Sequence, residues 1–168
     1  MNTKITYDKK KLYELVVRQV SKRKDLIGGA AERTRKDCEE APGPMQSRYD
    51  SSREELGALA DGLNLRAEDI ERGSIKLSLL REPINLNLDH VQIGSLVRVS
   101  EKGSNSSEDF FVLPYGGGEI VEIKGEEVII ITEDSPIYQA MRSKQKRSCF
   151  QIRRPDSKIV NYEILDIK

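Results

Sequence analysis

The chain has no tryptophan, one histidine, two cysteines and only 5% aromatic residues among its 168. Each scarcity excludes something. Two cysteines, Cys38 and Cys149, make neither a disulfide framework nor a zinc site. A lone histidine, His90, builds no His-rich metal centre, and no Ser-His-Asp constellation can be assembled on it. No apolar run approaches the roughly 18 residues that suggest a membrane span. Met1 to Lys11 is polar and basic with no apolar stretch behind it, so no signal peptide is expected and a cytoplasmic location is. The 28 basic and 28 acidic residues cancel. A binder held to nucleic acid by bulk positive charge is therefore not expected, nor is sequence-specific DNA binding.

What is present divides into two grammars. From Asp8 to about Leu80 the chain is rich in Lys, Arg, Glu, Leu and Ala, all good helix formers. Its only prolines, Pro42 and Pro44, lie in Ala41-Pro42-Gly43-Pro44, which must break a helix. Two helices joined by a tight turn follow, each roughly 45–50 Å long at 1.5 Å per residue. In the second, Leu56, Leu63, Ile70 and Leu77 recur every seven residues and Leu59 stands three after Leu56, a heptad whose intervening position degrades to Arg66 and Gly73. The first carries Leu12, Tyr13, Leu15, Val16, Val20, Ile27, Ala30 and Ala31, with Gly28-Gly29 as an interruption. Arg81 to His90 reads as a linker that could also pair as a short strand.

From Val91 the period changes to two. Strands are predicted at 95–100, 110–113, 119–123, 128–132, 149–152 and 159–167. Turn chemistry separates them: 103–106, Gly116-Gly117-Gly118 as a hairpin turn, Lys124-Gly125 and 155–157. One short helix is expected, capped by Ser135, opened by Pro136 and filled by Ile137 to Arg142. The fold class is α+β. Residues 1–80 form an antiparallel helical hairpin, a coiled coil with its tip near 41–45; 81–90 form a linker; 91–168 form a small β-rich domain.

Charge is segregated although the total is zero. Residues 4–36 carry net +7, 37–55 net −4, 91–141 net −6 and 142–158 net +6. Such a pattern suits docking on a partner of mixed charge, and equally suits solvated faces. Asp37, Glu39 and Glu40 stand just before the turn, either as a plain acidic helix end or as functional groups. Arg142, Lys144, Lys146, Arg147, Arg153 and Arg154 form the dense basic cluster, a partner contact or a solvated loop, with no aromatic ladder for stacking bases. The triple glycine is no phosphate cradle, because Glu119 and a strand follow where Lys-Ser/Thr and a helix are required. Cys149 is expected as a small buried hydrophobe.

The segment Ser135-Pro136-Ile137-Tyr138-Gln139-Ala140-Met141, the basic stretch after it, the closing Asn161-Tyr162-Glu163-Ile164-Leu165-Asp166-Ile167, and the opening Val91-Gln92-Ile93-Gly94-Ser95-Leu96-Val97 resemble the C-terminal domain of the bacterial transcript-cleavage factors GreA and GreB. Tyr49-Asp50-Ser51-Ser52-Arg53-Glu54 resembles the start of the second helix of that family. The resemblance implies a coiled coil followed by an FKBP-like domain. It implies RNA polymerase as partner, bound at its secondary channel, with Ser135, Pro136, Ile137, Arg142, Lys144, Lys146 and Arg147 at the contact. It implies tip residues that help the polymerase hold a second Mg²⁺, so the factor needs no cofactor of its own and is no enzyme itself. Here the tip departs from the pattern. Aligning on Tyr49 puts Pro42 and Met45 where the family has its two tip carboxylates, and neither can ligate a hard cation. Asp37, Glu39, Glu40, Met45 and Tyr49 are the candidate tip residues. The resemblance therefore points to an elongation regulator that modulates or competes more than it stimulates cleavage. The alternative is an interaction module that kept the fold and binds another protein, or itself through the Leu56/Leu63/Ile70 stripe.

Overall fold

In a computed structural model the described residues are 4–41, 51–81, 88–104, 106–153 and 157–168. The expected turn, with Pro42, Met45 and Tyr49, lies outside them, as does most of the linker. The chain divides into two compact units, Met1–Val17 with Lys76–Lys168, and Arg18–Ile75. The first 17 residues thus belong with the sheet, which helical propensity gives no reason to expect.

The second unit is built from most of two helices, α1 (Lys9–Glu40) and α2 (Ser51–Ser78), whose first and last turns respectively belong to the other unit. Lys24 pairs with Glu71, and the Cys38 thiol donates to the Arg53 carbonyl at 3.4 Å, so the helices run antiparallel. Helix α1 continues through Gly28-Gly29 without a break. A glycine in mid-helix weakens it by about 1 kcal/mol relative to alanine and does not by itself stop it. The seam of α2 differs from the expected one. Ile70 is 2% exposed, as a seam residue should be, but Leu59 is 55% exposed. The alternate position is four residues after each heptad leucine, at Ala60 and Ala67, rather than three after it. Small side chains there let the helices approach: a Cβ on Gly57 would meet the Cys38 sulfur at 3.9 Å.

The other unit holds six strands: β1 (Leu96–Glu101), β2 (Ser107–Val112), β3 (Ile120–Ile123), β4 (Glu126–Ile131), β5 (Cys149–Arg153) and β6 (Ile159–Ile167). They form one sheet in the order β3-β4-β2-β1-β6-β5. A short helix, α3 (Pro136–Met141), joins β4 to β5. All neighbouring pairs are antiparallel except β2 and β4. The triple glycine is consequently a connecting loop rather than a hairpin turn, since β2 and β3 do not pair. Gly116 and Gly118 take positive φ, 90° and 85°, which favours glycine, and a Cβ on Gly117 would stand 3.1 Å from the Thr132 side chain, which would have to give way. Lys124 and Gly125 both have positive φ, 55° and 80°, and close the β3–β4 hairpin as a two-residue turn of the type that matches strand twist. Ser135 is in the N-cap position with extended backbone, yet its hydroxyl makes no capping bond. Cys149 is exposed, because β5 turns Phe150 inward and lies at the edge of the sheet.

Period two gives the sheet two faces. One packs Val97, Val99, Phe110, Val112, Phe150, Val160, Tyr162 and Ile164 against Tyr138 and Met141 of α3. The other carries a buried ion pair. Arg98 and Asp109 are directly opposite on β1 and β2, and the guanidinium donates twice, Nε to Oδ1 and Nη2 to Oδ2, each at 2.7 Å. Tyr7, 1% exposed, donates its hydroxyl to the same carboxylate. Arg98 also reaches the Lys4 carbonyl at 3.2 Å and Glu126 at 3.5 Å. A bulge in β6 brings in a further anchor. The register steps from Val99↔Ile164 to Arg98↔Asp166, so one extra residue reverses the alternation. Asp166 therefore faces the side of Arg98, where it accepts the Ile5 amide at 2.9 Å. Lys168 donates to the Tyr7 carbonyl at 3.0 Å. The N-terminal segment is strapped across this face. Asp8 then caps α1, its carboxylate accepting the Lys10 amide at 2.9 Å.

Removing one partner of such a pair leaves a charge buried. Asp109→Ala is expected to lower unfolding free energy by about 3–5 kcal/mol, whereas Ser107→Ala, exposed on the same strand, changes it by less than about 0.5 kcal/mol; urea denaturation measures both. The strap also gives a pH signature. Burial and the neighbouring Lys168 ammonium pull the Lys9 pKa down to about 8. An unfolded chain keeps this amine protonated to about pH 10.4, so above pH 8 the unfolded state binds more protons and stability rises with pH. Burial and Asp109 hold the Tyr7 hydroxyl protonated, which opposes this gain once free tyrosine ionises near pH 10. The melting temperature is therefore expected to climb by a few degrees between about pH 8 and 9.5, and Lys9→Met should flatten that segment.

Candidate functional site

The acidic end of α1 is the first place where the sequence put function. Asp37, Glu39 and Glu40 are all exposed in its last turn. A helix turns about 100° per residue, which fixes their directions relative to Cys38, the residue that faces α2. Asp37 and Glu39 flank it on opposite sides, and Glu40 points away from the seam. Asp37 and Glu40 come within about 60° of one direction and Glu39 does not. Glu39 is moreover engaged by Arg35 at 3.4 Å, one turn back. Among the described residues no group of three Asp, Glu, His or Cys side chains could hold a metal ion. These carboxylates also lie against the helix dipole, with no basic residue in the last turn. Each costs about 0.3–1 kcal/mol in that position.

The second place is the edge of α3 and the loop beyond it. Pro136 is exposed, while Ser135 and Ile137 are half-buried, with Ile137 packed on the core. Arg142 and Arg147 are exposed, Lys144 half-buried. Lys146 donates to Asp166 at 2.7 Å, so one of the four cations is held by the protein's own acid. Burial alone would raise the Asp166 pKa, but the Lys146 bond and the Ile5 amide outweigh it and hold it below the usual range. Residues 90–91 pair with 143–145: His90 bridges Gln145, Val91 donates to the Lys144 carbonyl, and Ser143 donates back to Val91, both at 2.9 Å. This pairing opens a shallow cavity of about 290 Å³ lined by His90, Gln92, Glu133, Tyr138 and Arg142 among others. The Tyr138 hydroxyl there has its pKa raised by burial. Nothing in the sequence marks this cavity. His90 and Glu133 are 43 positions apart and line one cavity only in the folded chain, where the end of the linker pairs with the loop after α3.

The described residues contain no helix long and apolar enough to cross a membrane. No protein-family model matches the chain, and no curated protein does. Solved structures do match. Gfh1 of Thermus aquaticus is 14% identical over 89% of this chain and 92% of its own, with a TM-score of 0.37. GreA factor homolog 1 (Gfh1) of Thermus thermophilus is 13% identical over 90% and 94%, with a TM-score of 0.36. A GreA/GreB elongation factor of Nitrosomonas europaea is 18% identical over 68% and 92%, with a TM-score of 0.37. These are structures of the family that the sequence resembles. Likeness at this distance carries no argument about fold or activity.

The divergence of the three carboxylates has a direct consequence. One or two carboxylates without a partner phosphate hold Mg²⁺ poorly. Calorimetric titration of the protein alone with Mg²⁺ is expected to show no saturable site tighter than about 1 mM, and Glu39→Gln should leave that result unchanged.

Proposed function

We propose that this protein is a Gre-like transcription elongation regulator. It binds RNA polymerase at the secondary channel, inserts the α1–α2 hairpin, and modulates or competes with cleavage factors rather than stimulating RNA cleavage. Two supports come from the sequence: the resemblance over residues 91–168, and Pro42 and Met45 standing at the family's carboxylate positions. The observation that carries the reading is the geometry at the end of α1. Its acids are held against the helix dipole, which is unfavourable without a use, yet Glu39 points away from Asp37 and Glu40, and among the described residues no group of three could hold a metal ion. Stimulated cleavage needs carboxylates that fix a second cation and its water. Acids that point different ways suit contact with a channel wall better. In this reading Ser135, Pro136, Ile137, Arg142, Lys144 and Arg147 contact the polymerase rim, and any Mg²⁺ belongs to the polymerase.

A second reading is a protein-interaction module that kept the fold. Leu26, Leu59, Leu65 and Ile75 favour it, being exposed apolar side chains on the two helices. Self-association through Leu56, Leu63 and Ile70 is not favoured, because that stripe is turned into the hairpin.

The test is transcript cleavage on a backtracked elongation complex. The expected result is no release of 3′ RNA fragments by this protein and at least tenfold suppression of release by a cleavage-competent Gre factor. Fragment release by this protein alone would overturn the modulating role. Absence of any effect at saturation, with no complex on size exclusion, would overturn polymerase binding and leave the interaction module. Within this scheme Glu39→Ala with Glu40→Ala should weaken the suppression several-fold.

A further inference from the structure

Strand β3 ends the sheet, and no described strand pairs on its outer side. Its register with β4 places Val121 opposite Val128 and Glu122 opposite Glu127. Hydrogen bonds from Gly118 to the Ile130 carbonyl and from Ile130 to the Glu119 carbonyl fix which residues face β4. Because the direction of main-chain groups alternates along a strand, the amide and carbonyl of Ile120 and Glu122 turn outward. Val121 and Ile123 are buried on one face; Ile120 and Glu122 stand on the other.

Two features of that outer face are unusual. Ile120 is 57% exposed, a large apolar side chain on a bare edge. Natural proteins generally blunt such edges, since an open apolar strand invites pairing. Glu122 and Glu127 are both exposed and directly opposite each other. Like charges so placed are destabilising, and neither carboxylate makes an ion pair among the described residues. The same negative charge opposes pairing of β3 with the β3 of a second copy. The other edge strand, β5, has no comparable pairing of an exposed large apolar residue with acids.

We infer that the outer edge of β3 is a docking site for an extended basic segment of a partner protein, which adds to the sheet as a seventh strand. Main-chain bonds to Ile120 and Glu122 hold the segment, and alternate side chains select it. On the exposed face the segment places an apolar residue beside Ile120 and, two positions away, a lysine or arginine beside Glu122, on the side away from Glu127. The recognised pattern is therefore apolar-x-basic. The cation relieves the carboxylate repulsion, which makes the site selective for positive charge. None of these residues is among those proposed above to contact the polymerase, so the inference does not depend on polymerase binding.

The experiment uses the full chain and two capped eight-residue peptides, one alternating Val-Thr-Lys-Thr and one Val-Thr-Glu-Thr, followed by amide chemical-shift titration. The expected result is saturable binding of the basic peptide, shifts centred on residues 120–123 and slowed amide exchange at Ile120 and Glu122. Doubling the salt should weaken it several-fold. Glu122→Lys with Glu127→Lys, both exposed positions that should leave the fold intact by circular dichroism, should lose at least tenfold in affinity for the basic peptide and gain affinity for the acidic one. No binding of the basic peptide at millimolar concentration, or shifts centred away from β3, or binding indifferent to the double charge reversal, would overturn the inference.

Discussion

The bidentate contact between Arg98 and Asp109 is the constraint around which the sheet unit is arranged. A guanidinium and a carboxylate are taken out of water on the face of a sheet, which is tolerable only if every donor and acceptor is used. Two bonds at 2.7 Å satisfy most of the fork. The Lys4 carbonyl and Glu126 take further guanidinium donors, and the Tyr7 hydroxyl donates to the carboxylate, so two of these three partners come from the N-terminal segment. No buried side-chain polar atom is left without a partner among the described residues. The pair thus fixes three elements at once: the β1–β2 register, the path of residues 4–8 over the sheet, and through Asp8 the start of α1. A well-packed apolar substitute could match it in stability, but would not dictate where the strap lies.

The long helix that begins there has its charges reversed relative to its dipole. Lys9, Lys10 and Lys11 occupy the first turn and the three acids the last. Each placement is slightly unfavourable for the isolated helix. At the start, the burden is offset by the Asp8 cap and by burial of Tyr13 and Leu12. At the far end nothing among the described residues offsets it, apart from the Arg35–Glu39 pair. That contrast sets the acidic end of the helix apart from its start.

Helices and strands were legible because their periods are local properties. The six strands, the short helix opened by Pro136 and the antiparallel helical pair all follow from spacing. The errors share one physical cause. Whether Leu59 or Ala60 enters the seam depends on how close the facing helix comes, and a sequence pattern does not contain that distance. Gly116 to Gly118 read as a hairpin because β2 and β3 are adjacent in sequence, whereas β2 pairs instead with β4, in parallel. Cys149 read as buried because strand position was visible and edge position was not.

For the candidate sites the division is similar. Sequence alone determined which residues carry charge and where the acidic and basic clusters fall. Tertiary structure decided which of those charges remain available. Lys146 is tied to Asp166 because a single extra residue in β6 turns that acid toward it, while Arg142 and Arg147 stay exposed. Asp37, Glu39 and Glu40 are close in sequence, yet the helix turns Glu39 away from the direction that Asp37 and Glu40 share. The bare, acidic edge of β3 exists only because the strand order leaves it last. Composition and period are set by neighbours along the chain; register, edge and face are set by partners far from it, and those partners are chosen by packing.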